Sequence, residues 1–148
     1  MTQEEKELVL QDLACRLTYS VKAHYKYYDF FGGEEQLADE GDGIITAVDT
    51  NLGNPIKING YYIEVENVKP YLRPMSSMTE EEFKEYDKAV DLDVADSSET
   101  LKANLKAKSR VRVSKWYHGN DCLNKNMFDY RGLIPMGLAL EAPEGMYK

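Results

Sequence analysis

One local pattern in this chain leaves little conformational choice: Ile56-Lys57-Ile58-Asn59-Gly60-Tyr61-Tyr62-Ile63-Glu64-Val65. Asn-Gly favours a two-residue type I′ turn, because both central positions need positive φ. That turn pairs Ile58 with Tyr61 and Ile56 with Ile63, and these four share one face with Val65. Turn chemistry and apolar alternation therefore predict the same hairpin independently.

Around it the periodicities alternate between helix and strand. Thr2 with Glu5 forms a capping box ahead of the stripe Val9, Leu10, Leu13 and Leu17, which predicts a helix over about 3–17. From Tyr19 to Tyr28 the period falls to two, with Tyr19, Val21, Ala23, Tyr25 and Tyr27 on one face of a half-buried strand. Gly32-Gly33-Glu34-Glu35 to Gly41-Asp42-Gly43 reads as an acidic, flexible loop, and Ile44 to Val48 as a short second strand. Pro70 and Pro74 are expected to end the sheet region over Val68–Pro74. Thr79 with Glu82 makes a second capping box, stapled by Met78 and Phe83 and continued on one face by Phe83, Tyr86 and Val90. Leu101 and Leu105 suit a short helix, Arg110 to Ser114 an edge strand, and Cys122 to Phe128 a last helix.

The segment from Phe128 onward is apolar and aromatic with Gly and Pro at fixed turns, unlike a dispensable tail, so it is expected to dock. Within it Asp129 is placed to cap the following turn, with Arg131 reaching back to it or to a tail carbonyl. The length of 148 residues suits one domain, with helix plus small sheet over 1–78 and a helical region with the docked tail over 79–148. The expected class is α+β: a small bent antiparallel sheet, of which an SH3-like barrel is one closed form, with flanking helices and an ordered C-terminal tail.

Charge narrows the function classes. A formal charge of −8 weighs against a dedicated nucleic-acid binder, since phosphate neutralisation supplies most of that affinity. The distribution is uneven: Glu80 to Glu99 is acidic, whereas Lys102, Lys106, Lys108, Arg110, Arg112 and Lys115 form a basic strip beside Trp116 and Tyr117. Such a strip can hold single-stranded nucleic acid by charge and stacking; equally, it can neutralise the acidic helix. The acidic stretch can in turn mimic a phosphate backbone, or be a solvated face.

No apolar run is long enough to span a membrane, and Met1-Thr2-Gln3-Glu4-Glu5 is acidic where a signal peptide is basic, so a cytoplasmic protein is expected. Cys15 and Cys122 fit a reducing compartment. His24, between Lys22 and Lys26, is expected to resist protonation at the surface. His118-Gly119-Asn120-Asp121-Cys122 has no zinc spacing, and Gly119 argues against a helix that would aim His118 at the thiol. With no phosphate loop, dinucleotide fingerprint or nucleophile elbow, no catalytic, cofactor-binding or metal residue is assigned.

Val68 to Glu82, with Phe128-Asp129-Tyr130-Arg131-Gly132-Leu133-Ile134 and Gly137 to Pro143, resembles a family of small proteins of unassigned function from gut anaerobes, their phages and mobile elements. The opening Glu4 to Leu17 and Val21-Lys22 are similar too, and Glu85 to Ser114 less so. The resemblance implies a cytoplasmic setting and a role in phage or mobile-element biology, and carries no activity, cofactor or site residue.

Eleven tyrosines add contact surface, because the ring packs while the hydroxyl seeks a polar partner. The reading is a non-enzymatic protein-binding or regulatory module with an unidentified protein partner and no membrane. Tyr28, Tyr62, Trp116, Tyr117, Tyr130 and Arg131 are its expected interaction residues. Single-stranded nucleic-acid binding through 102–117 is the alternative.

Overall fold

The computed structural model describes residues 1–93 and 117–147. The expected helix at Leu101–Leu105, the expected strand at 110–114, the basic strip and Trp116 lie outside the described residues. Among the described residues three α-helices, α1 (Gln3–Arg16), α2 (Glu80–Asp93) and α3 (Tyr117–Lys125), accompany six strands. These are β1 (Lys22–Phe31), β2 (Glu34–Val48), β3 (Ile56–Ile58), β4 (Tyr61–Ile63), β5 (Val68–Leu72) and β6 (Leu140–Glu141). The class is α+β, and the sheet runs in the linear order β4-β3-β2-β1-β5-β6, open and not closed into a barrel. The chain forms two compact units, Met1–Tyr71 with Gly137–Leu140, and Leu72–Met136 with Glu141–Lys148.

In the first unit the capping box forms as expected: Thr2 Oγ1 accepts the Glu5 amide at 3.1 Å, and Glu5 Oε2 accepts that of Thr2 at 2.7 Å. Val9 and Leu13 are fully buried, the same face carries two buried charged residues, Asp12 and Arg16, and Leu10 and Leu17 are half-buried. Leu17–Tyr19 make a 3-10 turn and Ser20 is left-handed (φ 59°), so β1 starts at Lys22 and not at Tyr19. The expected alternation then holds, with Val21, Ala23 and Tyr25 buried.

The segment expected to be an acidic loop is strand. Gly32 and Gly33, at φ 63° and 86°, make a two-residue turn, and β2 returns along β1 for its whole length. Acidic residues and glycines carry weak strand propensity, but the register sets Glu40 opposite Lys26 and Asp42 opposite His24, and such cross-strand pairs stabilise what burial does not. An irregularity between Tyr27 and Tyr28 leaves Ala38 as the extra residue of β2.

The Asn59-Gly60 hairpin has the expected register, Ile56 opposite Ile63 and Ile58 opposite Tyr61, with positive φ at both turn residues (48° and 86°). Ile56, Ile58, Ile63 and Val65 are buried. Pro70 does not end the sheet: it lies within β5, opposite Ala23 of β1. Having no N–H, it can only occupy a position whose nitrogen faces away from the β1 ladder.

The second unit packs α2 on α3. Met75, Met78, Tyr86, Val90, Cys122, Leu123, Phe128 and Tyr130 form its core, joined by Phe83, so the expected staple and helical stripe are in place. The α3 C-terminus closes with Phe128 N–H on Leu123 O (3.0 Å) and Met127 N–H on Asn124 O (3.1 Å). This is a Schellman arrangement with Met127 (φ 60°) at the left-handed position that glycine usually takes. The methionine is 1% exposed, so its buried side chain offsets the backbone cost. Asp129 then caps the tail turn, its carboxylate accepting the amides of Leu133 (2.7 Å) and Ile134 (2.9 Å).

Candidate functional site

In the first unit β5 pairs with β1 only at Ala23, His24 and Tyr25, and β3 pairs with β2 only between Ile45 and Val48. The rest of the β1–β2 hairpin is a two-stranded arm with no neighbouring strand among the described residues. Apolar side chains end it in water: Phe30 is 71% exposed, Phe31 53% and Leu37 49%. Alternation and register put Tyr28, Leu37, Phe30 and Glu35 on one face, Asp29, Gln36, Phe31 and Glu34 on the other. Apart from half-buried Tyr28, burial drives none of these side chains to this place.

Nearer the base, the face that carries Tyr28 holds a charged cluster. His24 Nδ1 lies 2.9 Å from Asp42 Oδ1 and its Nε2 3.0 Å from Glu40 Oε1. Lys26 Nζ is 3.6 Å from Glu40, and Tyr71 donates its hydroxyl to Asp42 at 3.0 Å. With a carboxylate on each ring nitrogen, both nitrogens are best used as donors, which is the imidazolium form. The bonds to Asp42, then to Glu40, raise the His24 pKa above its ordinary value, and the same bonds hold both carboxyls below theirs. The expectation that Lys22 and Lys26 would disfavour the charge is thus overturned, because cross-strand partners lie at hydrogen-bond distance. Beside the cluster is a groove of about 450 Å³, walled by His24, Lys26, Tyr28, Glu40, Glu66, Asn67, Lys69 and Leu140.

The opposite face carries a tyrosine stack. Tyr27 and Tyr61 lie 4.2 Å apart and nearly parallel, and Tyr25 packs on Tyr61 at 6.2 Å. Tyr25 donates to Asp39 at 2.8 Å and accepts from Asn59 Nδ2 at 3.2 Å. The Asp39 charge beside Tyr61 raises that phenol's pKa. The Asn59 amide sits so close to Gly43 that a β-carbon there would meet its Oδ1 at 2.7 Å.

The expected interaction residues are dispersed. Tyr28 is half-buried in the groove wall, and Tyr62 is exposed on β4 with Lys57 Nζ 5.3 Å from its ring centre. Tyr130 is buried and donates to Asn124 Oδ1 at 3.1 Å, and Arg131 lies over its ring at 4.6 Å. Arg131 thus covers an aromatic ring, and Asp129 caps the turn that follows it. Tyr117 is the first residue of α3, and Trp116, Lys102, Lys106, Lys108, Arg110, Arg112 and Lys115 lie outside the described residues.

Contrary to expectation, Gly119 lies inside a continuous helix. Cys122 on that helix is buried, and burial pushes its thiol up to about 11, far from the thiolate a nucleophile needs. Among the described residues no cluster of three or more His, Cys, Asp or Glu is placed to hold a metal ion, and no helix is long and apolar enough to cross a membrane.

The second unit has its own cleft of about 610 Å³, between Arg73–Glu82 and the tail Glu141–Tyr147. Arg73 holds Glu82 through two bonds of 2.6 and 2.8 Å and stacks on Phe128 at 4.4 Å. Glu82 Oε1 also accepts the Thr79 amide at 3.1 Å, completing the second capping box. The Arg73 bond pulls the Glu82 pKa down to about 2. The Arg73–Glu82 ion pair is thus satisfied internally, while Glu141 and Glu144 also line the cleft.

Comparison with family models, curated proteins and solved structures finds no match to this chain. The arm is the feature the sequence concealed. Its available signal was Gly32-Gly33 between Phe30-Phe31 and a segment whose acids face Lys26 and His24 in antiparallel register.

Proposed function

We propose that this chain is a non-enzymatic protein-binding module whose contact element is the β1–β2 arm. The observation that carries the reading is the exposure of Phe30, Phe31 and Leu37 at the end of a strand pair that nothing among the described residues covers. Exposed apolar clusters on a charged protein mark interaction sites, and aromatic side chains anchor them. The non-enzymatic reading is supported by a His24 engaged on both nitrogens and by a Cys122 thiol held protonated. A cytoplasmic setting, and an origin in phages or mobile elements, complete the proposal and rest on the family resemblance.

The test is affinity capture from nuclease-treated and untreated native lysate with the intact protein and a Phe30→Ser/Phe31→Ser variant. A stoichiometric partner kept by the first and lost by the second, at equal melting temperature, supports the module. Equal capture by both moves the contact elsewhere. Recovery only without nuclease transfers the reading to nucleic acid.

A further inference from the structure

We infer that the open edge of β2 accepts an extended, cationic segment of a protein partner as an added strand, an inference that rests on the arm being the contact element. Beyond the β3 pairing, which stops at Ile45, the outward backbone groups of 34–40 meet no strand among the described residues. An unpaired edge is a template for main-chain hydrogen bonds from an incoming chain.

Side chains on that edge select the occupant. Glu34, Glu35, Asp39, Glu40 and Asp42 all belong to β2, which has no Lys, Arg or Pro anywhere along it. Proteins commonly guard edges with lysine or proline, or with bulges. Here neither lysine nor proline is present, and the Ala38 bulge leaves the residues nearer the turn in regular pairing. Pairing β2 with a second copy of itself would set these carboxylates against one another, a destabilising arrangement across strands. A Lys- or Arg-rich strand removes that repulsion and gains opposite-charge pairs instead. On the face shared with Phe30, the edge presents Glu35, then Leu37, then Glu40. The fitting segment therefore carries one apolar residue flanked by cations at alternate positions. Leu37, 49% exposed, supplies its apolar seat.

The experiment uses the full chain and a labelled peptide built on Lys-Thr-Val-Thr-Lys, which sets Lys, Val and Lys on one face of the added strand. Binding is read by fluorescence anisotropy and the contact by amide hydrogen exchange. Strand addition predicts that amides within 34–40 gain protection. Methylating alternate peptide nitrogens along one edge abolishes binding, whereas methylating the other edge spares it. Glu34→Lys/Glu35→Lys, both exposed and outside the His24 cluster, weakens binding about tenfold. No binding, equal binding by both methylated forms, indifference to the charge reversal, or protection confined to other residues each overturns the inference. In the first case the carboxylates serve only to keep the edge solvated. Phe30→Ser/Phe31→Ser separates the two readings. Lost partner capture with no peptide binding leaves the module standing without a cationic strand. Peptide binding with unchanged capture leaves the edge standing without the aromatic contact.

Discussion

Asp12 and Arg16, one turn apart on α1, face each other through two hydrogen bonds of 2.8 and 2.9 Å with both side chains sealed from water. A buried pair of this kind contributes little by existing, but removing one partner breaks two charge-assisted bonds in a dry site. Asp12→Ala should therefore cost about 3–5 kcal/mol in urea unfolding. Asp12→Leu/Arg16→Met should recover most of that loss. A single variant within about 0.5 kcal/mol of the parent would show that water reaches the pair.

Asp129 caps the turn that opens the tail. Asp129→Ala removes the acceptor for the Leu133 and Ile134 amides and should lower stability by about 1–3 kcal/mol, more than Arg131→Ala, whose contact over the Tyr130 ring is worth about 1 kcal/mol. The reverse order of the two melting temperatures would make Arg131 the stronger support of the tail.

The His24 cluster makes the arm depend on pH from both sides. His24 is raised, so its stabilisation is complete below the ordinary 6.5 and is lost as pH rises through the raised value. Glu40 and Asp42 are lowered, so theirs is complete above the ordinary 4.5 and 3.8 and is lost as pH falls through the lowered values. The arm should be best ordered between about pH 4.5 and 6.5, the window those ordinary values bound. An NMR titration of the His24 ring should show a midpoint above 6.5 that drops in Asp42→Asn. A midpoint at or below 6.5 in the parent would mean the carboxylates do not hold the ring in solution.

Glu82 couples the α2 cap to Arg73. Its stabilisation should be intact above pH 4.5 and drain away as pH falls toward about 2. Glu82→Gln should cost about 1–3 kcal/mol at neutral pH and flatten the acid limb of the stability profile. An unchanged acid limb would place the titrating group elsewhere.

Gly43→Ala should push the Asn59 amide off the Tyr25 hydroxyl. The expected loss is about 1 kcal/mol, and in an Asn59→Ala background the same substitution should cost less. Additive losses would mean that the two sites act separately.

What could be read from the sequence was what local chemistry dictates. The Asn59-Gly60 turn, both capping boxes, the Met78–Phe83 staple and the Asp129 turn each involve residues a few positions apart, and each is in place. What escaped depends on partners distant in sequence. β2 looks like a loop until Lys26 and His24 stand opposite its acids, and Pro70 looks like a terminator until its paired strand is known. The buried Asp12–Arg16 pair had a signal, opposite charges at i and i+4, that is indistinguishable from a solvated helix face without knowing what packs on it. The candidate site was the least legible part, since solvent exposure of Phe30 and Phe31 breaks the rule by which cores are recognised.

The chain leaves its first compact unit at Tyr71 and returns only for Gly137–Leu140, where Leu138 and Ala139 are buried. During synthesis that unit must therefore wait: its last pieces leave the ribosome after every residue of the long excursion from 72 to 136. Until then β5 is an outer strand without β6 beside it. A nascent chain, or a fragment cut anywhere within the excursion, would thus present for pairing a β5 flank that the finished protein occupies with β6.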